Sequence, residues 1–558
     1  RLVGSEMCIR DSTTALSPNK IVADAVVATN LGNVDIDGTL HYSPSNTLFE
    51  GAIAGDGLEA GKILKVEQLG KADLSVSGVA QLIDGSPCGD LKAEVSRIGY
   101  GGYDYNNISL QGTLQDGNFR TTATSTDPNI LFWLEGDGSL AKSRPEYNMI
   151  LSLDRADFSA LGLADSESRA WLTCNMEATL SGRRLDDMVG RAMINNLTYA
   201  TAADTLSTEL MNISLRGDEN DKSFSLRSNI ADVEYRSTAS YGAVIDYITK
   251  TLPASLPWAK TRAEEEQTKA TAPLSDRLYM AEDYTSINIK LFDGENLASV
   301  LLPGGNISSG SSVTLELSPA AQEFTMEVES SRIETSDVVI SDVNVDVSGH
   351  GQSMNLRAES SSLEVANILV PDLTLQVNSN ENHEVDANLY FSSTDTAVSG
   401  QLGFYATFGH DAKGDLTASA NLHDSYIISP EQRWTILSDG IDYSSEGVTI
   451  NNFSAQSGAS ALAINGAIST REERPLELSL RNVDIGEWVA LLTPLEEVHG
   501  NLSGEVELHS ALKQPYGQGE LRLASLAMGE MEVDPMLLSV AIPRKSTTAI
   551  VSLQNTIS

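Results

Sequence analysis

The sequence predicts an all-β chain: an elongated open groove of many short antiparallel strands with a few short amphipathic helices. Three observations carry this. Apolar and polar residues alternate with period two over most of the chain, which puts every second side chain on one face of a strand. A short motif, aliphatic-x-aliphatic-x-Gly, recurs without a strict period, unlike the near-constant coils of a tight β-helix. Only two segments have the spacing of an amphipathic helix.

Taken in chain order, the first twelve residues, Arg1 to Ser12, resemble a translated transposase sequencing adapter across Gly4 to Asp11. On that reading they are an artefact outside the fold, and the chain is a fragment of a longer gene product. The first β segment is expected over 13–240. Its clearest strands carry Leu74 and Val76, Ile108 and Leu110, Ile150, Leu151 and Leu153, Ile213 and Leu215, and Phe224 and Leu226. The glycine motif appears as Val34-Ile36-Gly38, Leu74-Val76-Gly78, Ile108-Leu110-Gly112, Ile213-Leu215-Gly217, Val345-Val347-Gly349 and Leu462-Ile464-Gly466. Glycine at that fixed offset is expected at a turn or bulge with positive φ. A second echo, Asn-Asn-apolar, opens strands at Asn106-Asn107-Ile108, Asn195-Asn196-Leu197 and Asn451-Asn452-Phe453.

A break follows over 241–283. Val244, Ile245, Ile248, Leu252 and Leu256 fall on one helical face, and Pro253 and Pro257 are expected to end the helix. Lys260 to Lys269, with three consecutive glutamates from Glu264, reads as a solvated helix or link. The second β segment, 284–558, has the most regular alternation. It places on one face Val313, Leu315 and Leu317; Phe324, Met326 and Val328; Val343, Val345 and Val347; Leu373, Leu375 and Val377; Leu402, Phe404, Ala406 and Phe408; Leu462 and Ile464; and Leu476, Leu478 and Leu480. A last short helix is expected over Ile485 to Leu492.

Charge narrows the possible partners. The 558 residues hold 77 acidic and 37 basic side chains, a net charge of −40. Such a chain repels nucleic acid and anionic membrane surfaces, so no nucleic-acid partner is expected. No polybasic stretch offers electrostatic docking on a bilayer, and no apolar run is long enough for a membrane helix. Beyond Cys8, Cys88 and Cys174 could pair once, which is no disulfide framework.

Catalytic and cofactor signatures are missing. The seven histidines are scattered, and neither His-Glu-x-x-His nor Cys-x-x-Cys occurs, so no metal and no cofactor is expected. There is no Gly-x-Ser-x-Gly elbow. Ser-x-x-Lys occurs at Ser17, Ser139 and Ser510 without supporting partners. Asn33-Asp35-Asp37-Gly38 imitates the start of a calcium loop, but its twelfth position is Pro44 where a glutamate is required. The expectation is a non-enzymatic protein.

A one-sided sheet hides its apolar face by packing on another sheet, by closing into a barrel, or by holding an apolar ligand. A membrane barrel requires aromatic girdles and strands of about 9–11 residues; the aromatics are sparse and many strands read shorter. Sandwiches compete with a sheet folded lengthwise into a trough. About thirty strands at ~4.8 Å would give a trough on the order of 140 Å long. Acyl chains inside it would gain roughly 0.8 kcal/mol per buried CH₂.

The stretch Tyr105 to Gly112, with Asp116-Gly117-Asn118-Phe119 and Asp127-Pro128-Asn129, resembles the TamB/AsmA-like family. So do Leu185 to Gly190, Ile194 to Tyr199, Leu226 to Asn229, Ile450 to Phe453, Leu462 to Gly466, Leu476 to Ile485 and Gly500 to Gly504. The likeness covers most of Ile21 to Val533 as a diffuse pattern. It implies a β-taco groove that carries phospholipid from inner to outer membrane, supporting outer-membrane biogenesis and protein assembly as part of a translocation and assembly module. It also implies a periplasmic location, an inner-membrane anchor ahead of these residues, and an Omp85-type barrel partner beyond them. The candidate lipid-groove lining is then Leu74, Val76, Ile108, Leu110, Ile213, Leu215, Val313, Leu315, Leu317, Phe324, Met326, Val328, Val343, Val345, Val347, Leu373, Leu375, Val377, Leu402, Phe404, Phe408, Leu462, Ile464, Leu476, Leu478 and Leu480. The competing readings are an extracellular β-rich adhesin or passenger module, and a β-solenoid enzyme acting on polysaccharide.

Overall fold

A computed structural model describes residues 7–66, 68–140, 143–164, 168–218, 220–254, 256–259, 283–301, 304–365, 368–382, 384–392, 398–429, 432–470, 474–486, 498–528, 531–544 and 548–555. It is 72% strand and 7% helix, all-β and antiparallel, in keeping with an elongated groove. The stretch Lys260–Lys269 and most of the expected helix Ile485–Leu492 lie outside the described residues. Met7–Ser12 begin a strand, Met7–Ser17, paired with Lys20–Thr29.

The chain divides into two compact units. One comprises Arg1–Ser240 with Asn288–Gly304, the other Tyr241–Ile287 with Gly305–Ser558. The sequence instead treats 241–283 as a simple link between consecutive segments. In each unit the strands form a meander, with each pairing mainly to its sequence neighbours.

Individual strands run longer than the sequence pattern marks. Leu69–Ile83 and Ser86–Tyr100 have 15 residues each, and Val338–His350 has 13. The reason lies in the residues that interrupt the alternation. Gly38, Gly112 and Gly349 are not turn residues; they sit inside strands without positive φ, whereas Gly78, Gly217 and Gly466 have φ of 135°, 99° and 110°. At Gly349 the missing side chain makes room for the cross-strand ring of Phe324, which a Cβ would strike. Phe119 over Gly138 and Phe391 over Gly400 repeat the arrangement, an aromatic ring covering a strand glycine.

The Asn-Asn echo proves to be a bend. Asn107, Asn196 and Asn452 have φ of 53°, 50° and 47°, and Asp342, Asp372, Asp424 and Asn482 share this left-handed conformation inside their own strands. Asn and Asp tolerate it best among non-glycine residues. Several coincide with register shifts: Thr173/Asn175 opposite Asn196, Gln401/Gly403 opposite Asp424, and Ile450/Phe453 around Asn452. A bulge of this kind bends a strand and interrupts its ladder. Buried hydroxyls take up the freed backbone groups. Ser425 Oγ accepts from the Gly403 amide at 3.0 Å and donates to its carbonyl at 3.1 Å. Ser460 donates to the Asn482 carbonyl at 2.6 Å, and Ser360 to that of Ser341 at 2.7 Å.

The helical break differs in detail from its expectation. Helix α1 is the short Ala60–Leu64; α2 is Tyr241–Asp246, followed by a π-turn over Tyr247–Thr251 and by α3, Leu252–Ala254. Pro253 lies within α3 rather than ending it. The wider i→i+5 turn just before it is where a missing N–H is tolerated. The buried face is Ala243, Val244 and Tyr247, while Ile245 is exposed. Helix α4, Gly294–Leu301, belongs to the first unit, where Leu297 and Val300 pack on Leu206 and Ile230.

A candidate apolar groove built from cross-strand rows

Residues directly opposite one another in an antiparallel pair point to the same face. Following such partners from strand to strand gives continuous rows. In the first unit one row runs Ala25, Ile36, Ile53, Val76, Ala93, Leu110, Ala123, Leu134, Leu151, Met176, Ile194, Met211. All twelve members are apolar. Leu74 and Ile108 lie in the next row through Val95. Ile213 and Leu215 follow Ala192 and Gly190 on the same face.

The second unit repeats this. One row is Val313, Val328, Val345, Ala358, Leu375, Leu389, Leu402, and beside it lies Leu315, Met326, Val347, Leu356, Val377, Ala387, Phe404, Leu422. A third runs from Leu317 and Phe324 through Gly349, Met354, Ser379, Val385, Ala406, Ala420, Ile441 and Ile450 to Gly466 and Leu476, with Ser379 its one polar member. Leu478 and Leu480 pair with Ile464 and Leu462, Phe408 with Ala418, Val343 with Ser330, and Leu373 with Ser360. Each sequence-predicted lining residue therefore shares one face with the others of its unit.

The opposite face is polar. In the first unit it reads Asp24, Asp37, Ala52, Ser77, Lys92, Gln111, Thr122, Glu135, Ile150, Glu177, Met193, Asn212, mostly polar with Ile150 and Met193 the exposed exceptions. In the second it reads Thr314, Glu327, Asp346, Arg357, Gln376, Asn388. Strands of 13–15 residues are long enough to cross a bilayer, so the strand-length argument against a membrane barrel does not hold. The polar outer rows carry that argument instead, because a barrel turns an apolar band toward lipid.

Cover over the apolar face is uneven. Between residues 13 and 122, Ala72 is the one buried hydrophobic among the described residues. Ile53, Leu91 and Leu110 are 37%, 36% and 42% exposed although they face inward by register. Phe49, Ala80, Leu91, Leu110, Gly112 and Phe119 line a cleft of ≈ 520 Å³ here. In the second unit much of the third row is covered: Leu317, Phe324, Met354, Val385 and Ala406 are buried, and the exposed Trp258 meets Phe408 edge-on with centroids 6.4 Å apart.

Fixed polar networks hold the ends and bends of these rows. Fully buried Asp127 accepts hydrogen bonds from Tyr103 Oη at 2.7 Å, the Asn106 amide at 2.8 Å and the Asn129 amide at 2.8 Å. Burial pushes its carboxyl up, but those donors outweigh burial and hold it below the usual carboxylate range. Asp73 is lowered by the Gly57 amide at 2.6 Å, against burial, and by Arg97 at 2.9 Å. Cys88 opposes Gln81 on the polar face while Cys174 opposes Leu153 on the apolar one, and both are free thiols. Burial pushes the Cys174 thiol up.

Part of the groove face escapes the sequence pattern. Ala93, Ala123, Met176 and Met211 stand on it without a clean alternation around them, and only their opposite partners place them there. Among the described residues no group of His, Cys, Asp and Glu could hold a metal ion, and no helix is long and apolar enough to cross a membrane. Compared with protein-family models, curated proteins and solved structures, the chain matches none.

Proposed function

We propose that this protein is a non-enzymatic lipid carrier whose apolar face holds phospholipid acyl chains while head groups stay in solvent. The observation that carries the reading is the unbroken apolar row from Ala25 to Met211 in the first unit, with Ile53 and Leu110 in it and Leu91 beside it left more than a third exposed. A domain that only needed a core would bury them: each CH₂ left in water forgoes roughly 0.8 kcal/mol. A lining of Val, Leu, Ile, Met and Phe without fixed polar contacts suits a mobile hydrocarbon chain. The likeness to TamB/AsmA-like proteins extends the reading to a periplasmic segment, anchored in the inner membrane, that passes phospholipid toward an outer-membrane barrel of the Omp85 type. The adhesin reading calls for a dry, filled core, and the exposure of Ile53, Leu91 and Leu110 counts against it.

Native mass spectrometry of the purified chain is expected to find bound phospholipid. Val345→Glu with Val347→Glu places two carboxylates on adjacent apolar rows and is expected to lower lipid occupancy and block transfer in cells. Asp346→Asn, between them on the polar face, is expected to change neither. A lipid-free wild type, or normal transfer by the folded double variant, would sink the proposal.

A further inference from the structure

Arginines gather at one end of the first unit, in a chain where acidic side chains outnumber basic ones 77 to 37. Arg144, Arg191 and Arg216 line one cleft of ≈ 510 Å³ with Ser214 and Gly217; by register Arg191 and Arg216 stand on the polar face, and Gly190 and Leu215 beside them stand on the apolar one. Arg183 and Arg184 stand in the adjoining turn. We propose that this cleft, on the polar face at the strand ends Val189 and Gly217, is a binding site for a phosphate group.

Four observations carry it. Arg191 and Arg216 are exposed and have no carboxylate partner among the described residues. Asp187 accepts from the Arg183 and Arg184 amides at 2.8 and 2.7 Å and lies against the Arg144 and Arg184 charges, while Asp221 pairs with Arg236 at 2.8 Å and Asp218 accepts from the Asn220 amide at 2.8 Å. Across the strands, Arg191 faces Thr179 and Ser214, which are hydroxyls rather than acids. Arg144 is tethered by donating to the Asp187 carbonyl, and its buried Nε has no partner among the described residues. Planar guanidiniums are the side chains best matched to phosphate oxygens, which accept two parallel N–H bonds from each. Hydroxyls lie opposite Arg191 and Arg216 (Thr179, Ser214 and Ser223), whereas other arginines of this chain, such as Arg236, meet a carboxylate.

The phosphate could belong to a phospholipid head group, an assignment that rests on the groove reading, or to a free phosphate ion. Titration calorimetry of the full chain separates them with three probes: inorganic phosphate, dihexanoyl-phosphatidylglycerol, and an uncharged monoacylglycerol. Arg191→Gln with Arg216→Gln is expected to weaken both phosphate-bearing probes about tenfold and to leave the monoacylglycerol unchanged. The fold is checked by circular dichroism, and Arg357→Gln in the second unit, whose arginine pairs with Glu359, is expected to have no effect. Weakening of inorganic phosphate alone assigns the site to the free ion. Unchanged binding of both phosphate probes overturns the site. Failure of wild type to bind the monoacylglycerol counts against the groove while the phosphate arm still judges the arginines.

Discussion

Asp127 shows what a single side chain does here. Its carboxylate replaces backbone acceptors where the strand Tyr103–Gln115 bends at Asn107, and it gathers Tyr103, Asn106 and Asn129 around itself. Asp127→Ala would leave those donors buried and unsatisfied, at a cost of about 1–3 kcal/mol. Because the folded pKa is depressed, the carboxylate's contribution is fully present above its unfolded value of ~3.9 and is lost as pH falls through the lower folded value. The gap in urea midpoint between wild type and Asp127→Ala should therefore be widest near neutral pH and shrink in acid. A gap that stays constant into strong acid would show that the carboxylate's charge plays no part. The sequence marked Asn106-Asn107 and Asp127-Pro128-Asn129 as separate motifs. Their union depends on a strand register that brings residues 21 apart within 3 Å, which no local pattern encodes.

At the scale of an element, the alternation was legible wherever both faces obeyed it, as in Val343 to Val347 or Leu373 to Val377. It failed where glycine or alanine stood on the apolar face, because a small residue there gives no hydrophobic signal yet is needed beneath a neighbouring ring. The Asn-Asn echo was visible, but its meaning lay in the backbone. At Asn107, whose side chain makes no hydrogen bond among the described residues, the conformation can be isolated from the contacts. Asn107→Gly should leave the unfolding midpoint nearly unchanged, since glycine adopts positive φ freely. Asn107→Val should destabilise by roughly 1–2 kcal/mol, because a β-branched residue resists φ of 53°. Equal midpoints for the two variants would mean that the bend is not set by this residue.

At the scale of the whole molecule, the governing fact is that strands pair mainly with their sequence neighbours, within units that each hold their own contacts. Stability in such a chain is close to a sum of local terms and nearest-neighbour interfaces, as in other repeat architectures. Among the described residues the buried hydrophobics fall in small separate clusters: Trp434, Ile436, Ala455 and Val483 in one place, Val385, Ala387 and Ala406 in another. Local damage should then stay local. In hydrogen exchange read by mass spectrometry, Asp127→Ala should speed exchange across the strands Tyr103–Gln115, Asn118–Asp127 and Ile130–Ser139, and leave Val338–His350 and Ser353–Val365 at wild-type rates. Faster exchange in all five strands would mean that the chain unfolds as one cooperative body. The half-exposed apolar row of the first unit would then be stabilised by more than its neighbouring strands.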